Sequence, residues 1–487
     1  MGSIRRFAVI APIALSAAFV AAASPIHAPS SKAPPAAKLQ SVTIAGVPHV
    51  PQKADFCGEA CAAMWAARLG RADINQDYVF NVSGLSAELG RGCYTRELMA
   101  ALERIGFKCG TGGATVTAGA AAALDAQFAA LLADLHAGVP SIICMHYDDT
   151  ANSSEHFRLI LGYDVATDEV IYHEPAAAGG AYLRMKRPTL LKLWPLKYNS
   201  EKWTLIRLPL KGKPTPAPPP HTLGPPLRYF TAADYAQHIM KLRKKLPSDK
   251  FTIVLQPPFV VIGDEDAATL RRRSASTVKW AVDKLKAEYF TSDPTEILDI
   301  WLFKDEDSYY KNATALSGSR PSTPFGYFSD SDGALVMNIA TGGGTLVHEI
   351  VHPFMAANFP RCPAWFNEGL GSLYEQSGEQ DGRICGYTNW RLPHLQKAIA
   401  AKRLPTFEKL TAMDSRTFYA GDNYGQSRYL CYYLQQKGLL KDYYHRFYRN
   451  QAKDPTGYQA LKTVLGNPDM AVFQKQWEKW VLTLRFP

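Results

Sequence analysis

Along "DFCGEACAAMWAARLG" the apolar residues Cys61, Met64, Trp65 and Leu69 return every three to four positions, which predicts a helix capped by Asp55 and ended by Gly70. "HFRLILGYDVATDEVIYHEP" predicts a hairpin, with a strand over Phe157–Tyr163, a turn across Asp164–Asp168 and a return strand to His173. From Gly342, "GGGTLVHEIVHPFMAANFPRCPAWFNEGL" reads as two helices, the second starting near Pro363 with Trp365, Phe366, Leu370 and Leu373 on one side. Pro353 follows His352, has no N–H to donate and disfavours helical geometry at its neighbour, so a kink or an early helix end is expected there. The region after about Leu227 becomes mostly helical beyond Thr341, and no repeat of solenoid or propeller period is visible.

Two further stretches lack either periodicity. At the amino terminus "MGSIRR" precedes an apolar run of about seventeen residues and the small residues Ala21, Ala22 and Ala23. This reads as a signal peptide over 1–23, cleaved before Ser24. The competing reading is a permanent anchor, against which stand the shortness of the run and Pro12 within it. The Pro/Ala/Ser-rich residues 24–40 read as a disordered lead-in. "KGKPTPAPPPHTLGPP" (211–226) reads as an extended spacer, because its prolines block both helix and central strand. A proline-rich loop inside one domain is the alternative. The chain is thus expected to hold two domains, 41–210 and 227–487, and to be α+β overall.

At 47% apolar and 20% charged the composition is globular. The net charge of +10 is moderate, and the runs Lys241–Lys245 and Arg271–Arg273 fall in helical stretches, where they read as solvated faces. No nucleic-acid motif accompanies them, so no nucleic-acid partner is expected. A bacterial protein carrying this leader is exported, to the periplasm or beyond, and contact with the cell envelope stays open. Export means an oxidising compartment, where some of the eight cysteines should pair. Cys362 with Cys385 is the first expected pair.

Candidate chemistry appears in both domains. Cys57 sits in the first turn of the predicted helix, where the positive end of the helix dipole favours a thiolate; Cys61 lies one turn deeper. The hairpin brings His156 and Glu174 together at one mouth, as a base and the group that orients it. Gln52, five residues before Cys57, is placed to donate to an oxyanion. Disulfide or buried structural roles for Cys57 and Cys61 remain the bland alternative.

In the second domain His348 and His352, four apart, lie on one helical face and can aim at one point. Two imidazoles and a carboxylate suit zinc, whose open position activates water with a pKa near about 7. Glu349 is the candidate general base. Glu368, on the second turn of the following helix, could supply the third ligand.

These residues carry two resemblances. "Q…CGEAC", "HFRLILGYD" and "EP" resemble the papain-like bacteriocin-processing cysteine peptidases and their C39-like relatives, over about 160 residues. That resemblance implies Cys57 as nucleophile, His156 as base, Gln52 in the oxyanion hole and Glu174 in a seat where the family mostly has Asp. "FGYF", "GALVMNIA", "TLVHEIVH", "PAWFNEGLGSLYE" and "YGQSRYLCYYLQQKG" resemble the gluzincin metallopeptidases of the peptidase MA-like group, over about 260 residues. This implies a zincin-type domain with Zn(2+) on His348, His352 and Glu368, Glu349 as base, and "GALVMNIA" as an edge strand on which peptide pairs. Tyr424 is a candidate for steadying the tetrahedral intermediate, with Tyr419 nearly as good and ordinary packing the alternative for both. The expected function is an exported peptidase acting on a peptide or protein, whose first domain cleaves or captures peptide. A non-catalytic envelope peptide-binding protein with relic sites is the rival.

Overall fold

Two separate sheets organise the described residues, 40–215 and 230–486 of the computed structural model. The expected signal peptide, nearly all of the lead-in and residues 216–226 of the expected spacer lie outside them. The first sheet contains β1 (Val42–Thr43), β2 (Gly113–Thr117), β3 (Ser141–His146), β4 (Glu155–Asp164), β5 (Glu169–His173), β6 (Leu183–Lys186) and β7 (Lys202–Pro209). They run antiparallel in the order β2-β7-β3-β4-β5-β6, with β1 on β4. Side-chain alternation splits β4 between two cores. Phe157, Leu159 and Leu161 share one with α1 (Cys57–Arg68), α2 (Gln76–Ser83) and α3 (Thr95–Ile105), while Ile160 joins another with α4 (Ala121–His136).

The second sheet contains β8 (Thr252–Gln256), β9 (Phe259–Gly263), β10 (Leu298–Phe303), β11 (Gly326–Ser329) and β12 (Ala334–Asn338), in the order β11-β12-β10-β9-β8. β9, β10 and β12 are parallel, and every residue of β9 and β12 is buried, as both-face coverage requires. One face packs beneath α6 (Gly344–Asn358) and α7 (Ala364–Tyr374). The other, with Val260, Ile262, Trp301 and Phe303, enters the same core as Phe56, Phe80, Leu98 and Phe157 of the first sheet's region. Tyr235 and Ile239 of α5 (Ala232–Arg243) belong to this shared core. Each such fully buried side chain stabilises by about 1.5–3 kcal/mol, so the two regions are held together rather than merely tethered. Polar contacts agree: the Ala233 N–H donates to Asn81 at 2.8 Å, and Arg271 pairs with Glu88. Residues from Ser41 onward form one compact unit.

Several expectations change. Asp55 does not cap α1; Phe56 holds that position, and Asp55 takes a left-handed φ of 59° and accepts from the Gly92 N–H. α6 continues six residues past His352, because Pro353 deprives only one carbonyl and the buried Phe354 and Met355 repay that loss. "GALVMNIA" is not an edge: β12 lies between β10 and β11, and β11 takes the outer position. All eight cysteines are free. Cys362 precedes α7 and Cys385 follows it on a separate hairpin, so the 11-residue helix, about 16 Å long, separates the expected pair. The start of the expected spacer packs down, with Thr215 bonded to the Ile105 carbonyl. Lys241, Arg243–Lys245, Arg271 and Arg272 are exposed, as a solvated face requires. Among the described residues no helix is long and apolar enough to cross a membrane.

Candidate active sites

The helical region brings its expected metal ligands together. His348 Nε2 lies 3.2 Å from Glu368 Oε2, and His352 Nε2 lies 3.9 Å from the same oxygen. Tetrahedral zinc with bonds of about 2.0–2.1 Å needs ligand atoms about 3.3 Å apart, a spacing the first of these distances matches and the second exceeds. His348, Glu349 and His352 also offer ligand atoms within 4.8 Å of one another. Glu368 is not in that group, although one of its oxygens lies within 3.9 Å of both rings; Glu349, which is, stands 3.8 Å from His352.

Glycines make this approach possible. A Cβ on Gly344 would meet the Glu375 carbonyl at 2.0 Å, so only glycine lets α6 begin against the end of α7. A Cβ on Gly371 would press the His348 ring at 3.2 Å.

The far side of each ligand is held. His352 Nδ1 lies 3.1 Å from Asn367 Oδ1, which fixes that nitrogen as the N–H donor and leaves Nε2 as the ligating lone pair. His348 Nδ1 is 3.2 Å from Glu375 Oε1, close enough for an ion pair but not aligned as a hydrogen bond. Glu375 in turn receives Arg391 at 2.6 and 3.0 Å and Asn389 at 3.0 Å. The Tyr419 hydroxyl donates to Glu368 Oε1 at 2.8 Å. Tyr424 lies elsewhere, lining the cleft with its ring under the Arg391 guanidinium. Glu375 and Arg391 were not foreseen. A signal existed for the first: Glu375 stands two helical turns beyond Glu368.

Without a metal, these charges titrate against one another. Burial opposes the charge on His348, but the Glu368 and Glu375 carboxylates outweigh it and raise the imidazolium to about 10. Burial likewise opposes ionised Glu375, yet His348 and Arg391 hold it at about 2. The site is thus set for positive charge, which a proton or a divalent cation supplies. A cleft of about 940 Å³ opens onto His348 and Glu349, walled by Trp280, Phe325, Trp390 and Tyr424.

The other site is assembled around the β4–β5 hairpin. β4 and β5 follow the expected hairpin within two residues, and they place His156 Nε2 2.5 Å from Glu174 Oε1. Nε2–H therefore donates, leaving Nδ1 as the acceptor. The second Glu174 oxygen takes Arg158 Nε at 2.6 Å in a buried pair. The longer Glu174 side chain thus serves both cations. Gln52 is tied to this turn by its N–H to the Pro175 carbonyl, and its Oε1 is buried with no partner.

Cys57 opens α1 as expected, but its thiol departs from expectation. Burial is the largest influence and pushes the thiol up to about 12, outweighing the N–H groups of Phe157 and Gly58 beside it. The helix terminus does not make a thiolate here. Cys61 is deeper, and its thiol too is raised, chiefly by burial. Among the described residues no hydrogen bond joins Cys57 to His156.

Residues 44–200 match the Peptidase_C39 like family. The C39-like domain therefore spans α1, the hairpin and every strand of the first sheet but β1 and β7, and it includes all four residues of the thiol site. That family is of cysteine-peptidase type, which supports a peptidase-type role for the C39-like domain. No curated protein matches the chain.

Proposed function

We propose that the chain is an exported peptidase with a zinc-dependent site on α6 and α7 and a second, thiol site in the C39-like domain. The observation that carries the first half is the meeting of His348 and His352 with one Glu368 oxygen at 3.2 and 3.9 Å. A zinc ion held there supplies Lewis acidity to amide hydrolysis. Glu349, beside the ligands and lining the cleft, accepts the proton of the attacking water and returns it to the leaving amine. Tyr424 keeps its proton, because burial and the nearby Glu368 raise its pKa. Its hydroxyl makes no hydrogen bond among the described residues, which leaves it free to donate to the carbonyl oxygen as that gains charge. Export rests on the leader alone.

In the C39-like domain His156 Nδ1 is the base for Cys57, and Glu174 orients the ring. The high thiol pKa favours a second reading for this half, in which it captures peptide rather than cutting it. Metal analysis of the pure full-length protein, followed by a peptide-library digest with chelator and thiol-blocker arms, tests both halves. One zinc per chain with chelator-sensitive cleavage is expected. Stoichiometric zinc surviving in a His348→Ala, His352→Ala double variant would contradict the site.

A further inference from the structure

A second cavity of about 630 Å³ opens onto the Cys57 thiol. Its wall is fixed to the nucleophile turn by two carboxylates: Asp55 accepts from the Gly92 N–H, and Glu59 from the Cys93 N–H, each at 2.8 Å. Gly92 is required there, since a Cβ would meet the Asp55 carbonyl at 1.8 Å. Phe157 and Tyr198 supply apolar surface, and Glu155 supplies a carboxylate. Glu155 touches the Cys144 thiol at 4.0 Å and, together with burial, raises the Tyr198 phenol.

Carboxylates elsewhere in the domain are commonly matched by a cation. Asp134 has Arg207 and Lys211, Glu169 has Lys186 and Arg184, and Glu174 has Arg158. Asp55 and Glu155 form no ion pair among the described residues. Arg96 stands at the rim but turns to Glu97, at 3.8 Å, with its side chain 93% exposed. A cavity with aromatic walls and a carboxylate that has no cation partner suits a long aliphatic side chain ending in a cation, whose stem packs on the rings while the charge meets Glu155.

We propose that this cavity is a subsite for a lysine or arginine side chain of an extended peptide, and that Glu155 is its specificity-determining residue. The consequence for cleavage rests on the proposed role of Cys57; the binding does not.

The test uses the full-length protein carrying Cys57→Ala and Glu349→Gln, so that bound peptide survives. Acetylated, amidated hexapeptides of Ala and Gly carry one Lys, moved through the positions, and are compared by calorimetry with twins carrying norleucine. At one position the Lys peptide is expected to bind at least tenfold tighter. That margin is expected to vanish in Glu155→Gln and to turn towards a Glu peptide in Glu155→Lys. Glu155 is exposed, so neither variant threatens the fold. Equal binding of Lys and norleucine peptides at every position overturns the proposal, as does a Lys preference that Glu155→Gln leaves intact. Thiol-dependent cleavage by the protein with Cys57 restored is measured separately. Its absence removes the catalytic role of Cys57 while the binding result stands.

Discussion

The metal-type site and the thiol site solve the same problem, placing charged groups in a buried setting, in opposite ways. Around His348, His352 and Glu368 every carboxylate has a cation or a donor, and carboxylates surround the paired imidazoles. Around Cys57 the imidazole and its carboxylate are locked to each other and to Arg158, while the sulfur has no hydrogen bond to that imidazole among the described residues and burial raises its pKa. Position at a helix terminus does not activate a group when desolvation exceeds what the dipole returns, and the dipole is worth only about 0.3–1 kcal/mol at ordinary sites.

The strongest way to break this comparison is Glu349→Gln. It should lower chelator-sensitive cleavage by about 10²–10⁴-fold with zinc content unchanged, measured by metal analysis and initial rates. Loss of zinc with activity would make Glu349 a ligand and not a base.

Next is Glu174→Ala, which leaves Arg158 buried without its partner and should destabilise the fold by about 3–5 kcal/mol in urea titrations. The pH dependence follows from the same carboxylate. Burial opposes its charge, but His156 and Arg158 outweigh that and hold the pKa below the ordinary 4.5. Its stabilisation is therefore complete above that pH and is lost as pH falls through the lower folded value. The variant should lose that part of the acid sensitivity.

Smaller, and confined to the metal side, is Glu375→Gln. By releasing His348 Nδ1 it should weaken zinc binding by about 10–100-fold in chelator competition. The least drastic test sharpens the thiol side: alkylation of Cys57 by iodoacetamide should climb about tenfold per pH unit from 7 to 10 without levelling. A plateau below pH 8 would mean that His156 already holds the thiolate.

What was readable from the chain alone follows from short-range geometry. The 3.6-residue period put His348 and His352 on one face, and a 2-residue period with a turn brought His156 to Glu174. These depend on local backbone, which sequence pattern dictates. The family type of residues 44–200 was readable for the same reason, from motifs at fixed spacing.

Tertiary structure decided what depends on neighbours distant in sequence. β11, not β12, became the edge because one more strand paired there. Cys362 and Cys385 stayed apart because a whole helix separates them. Glu375 reached His348 because Gly344 and Gly371 let two helices close. The Cys57 thiol is pushed up because it packs partly buried against the core that β4 and α3 share, and desolvation is a sum over all surroundings that no local spacing encodes.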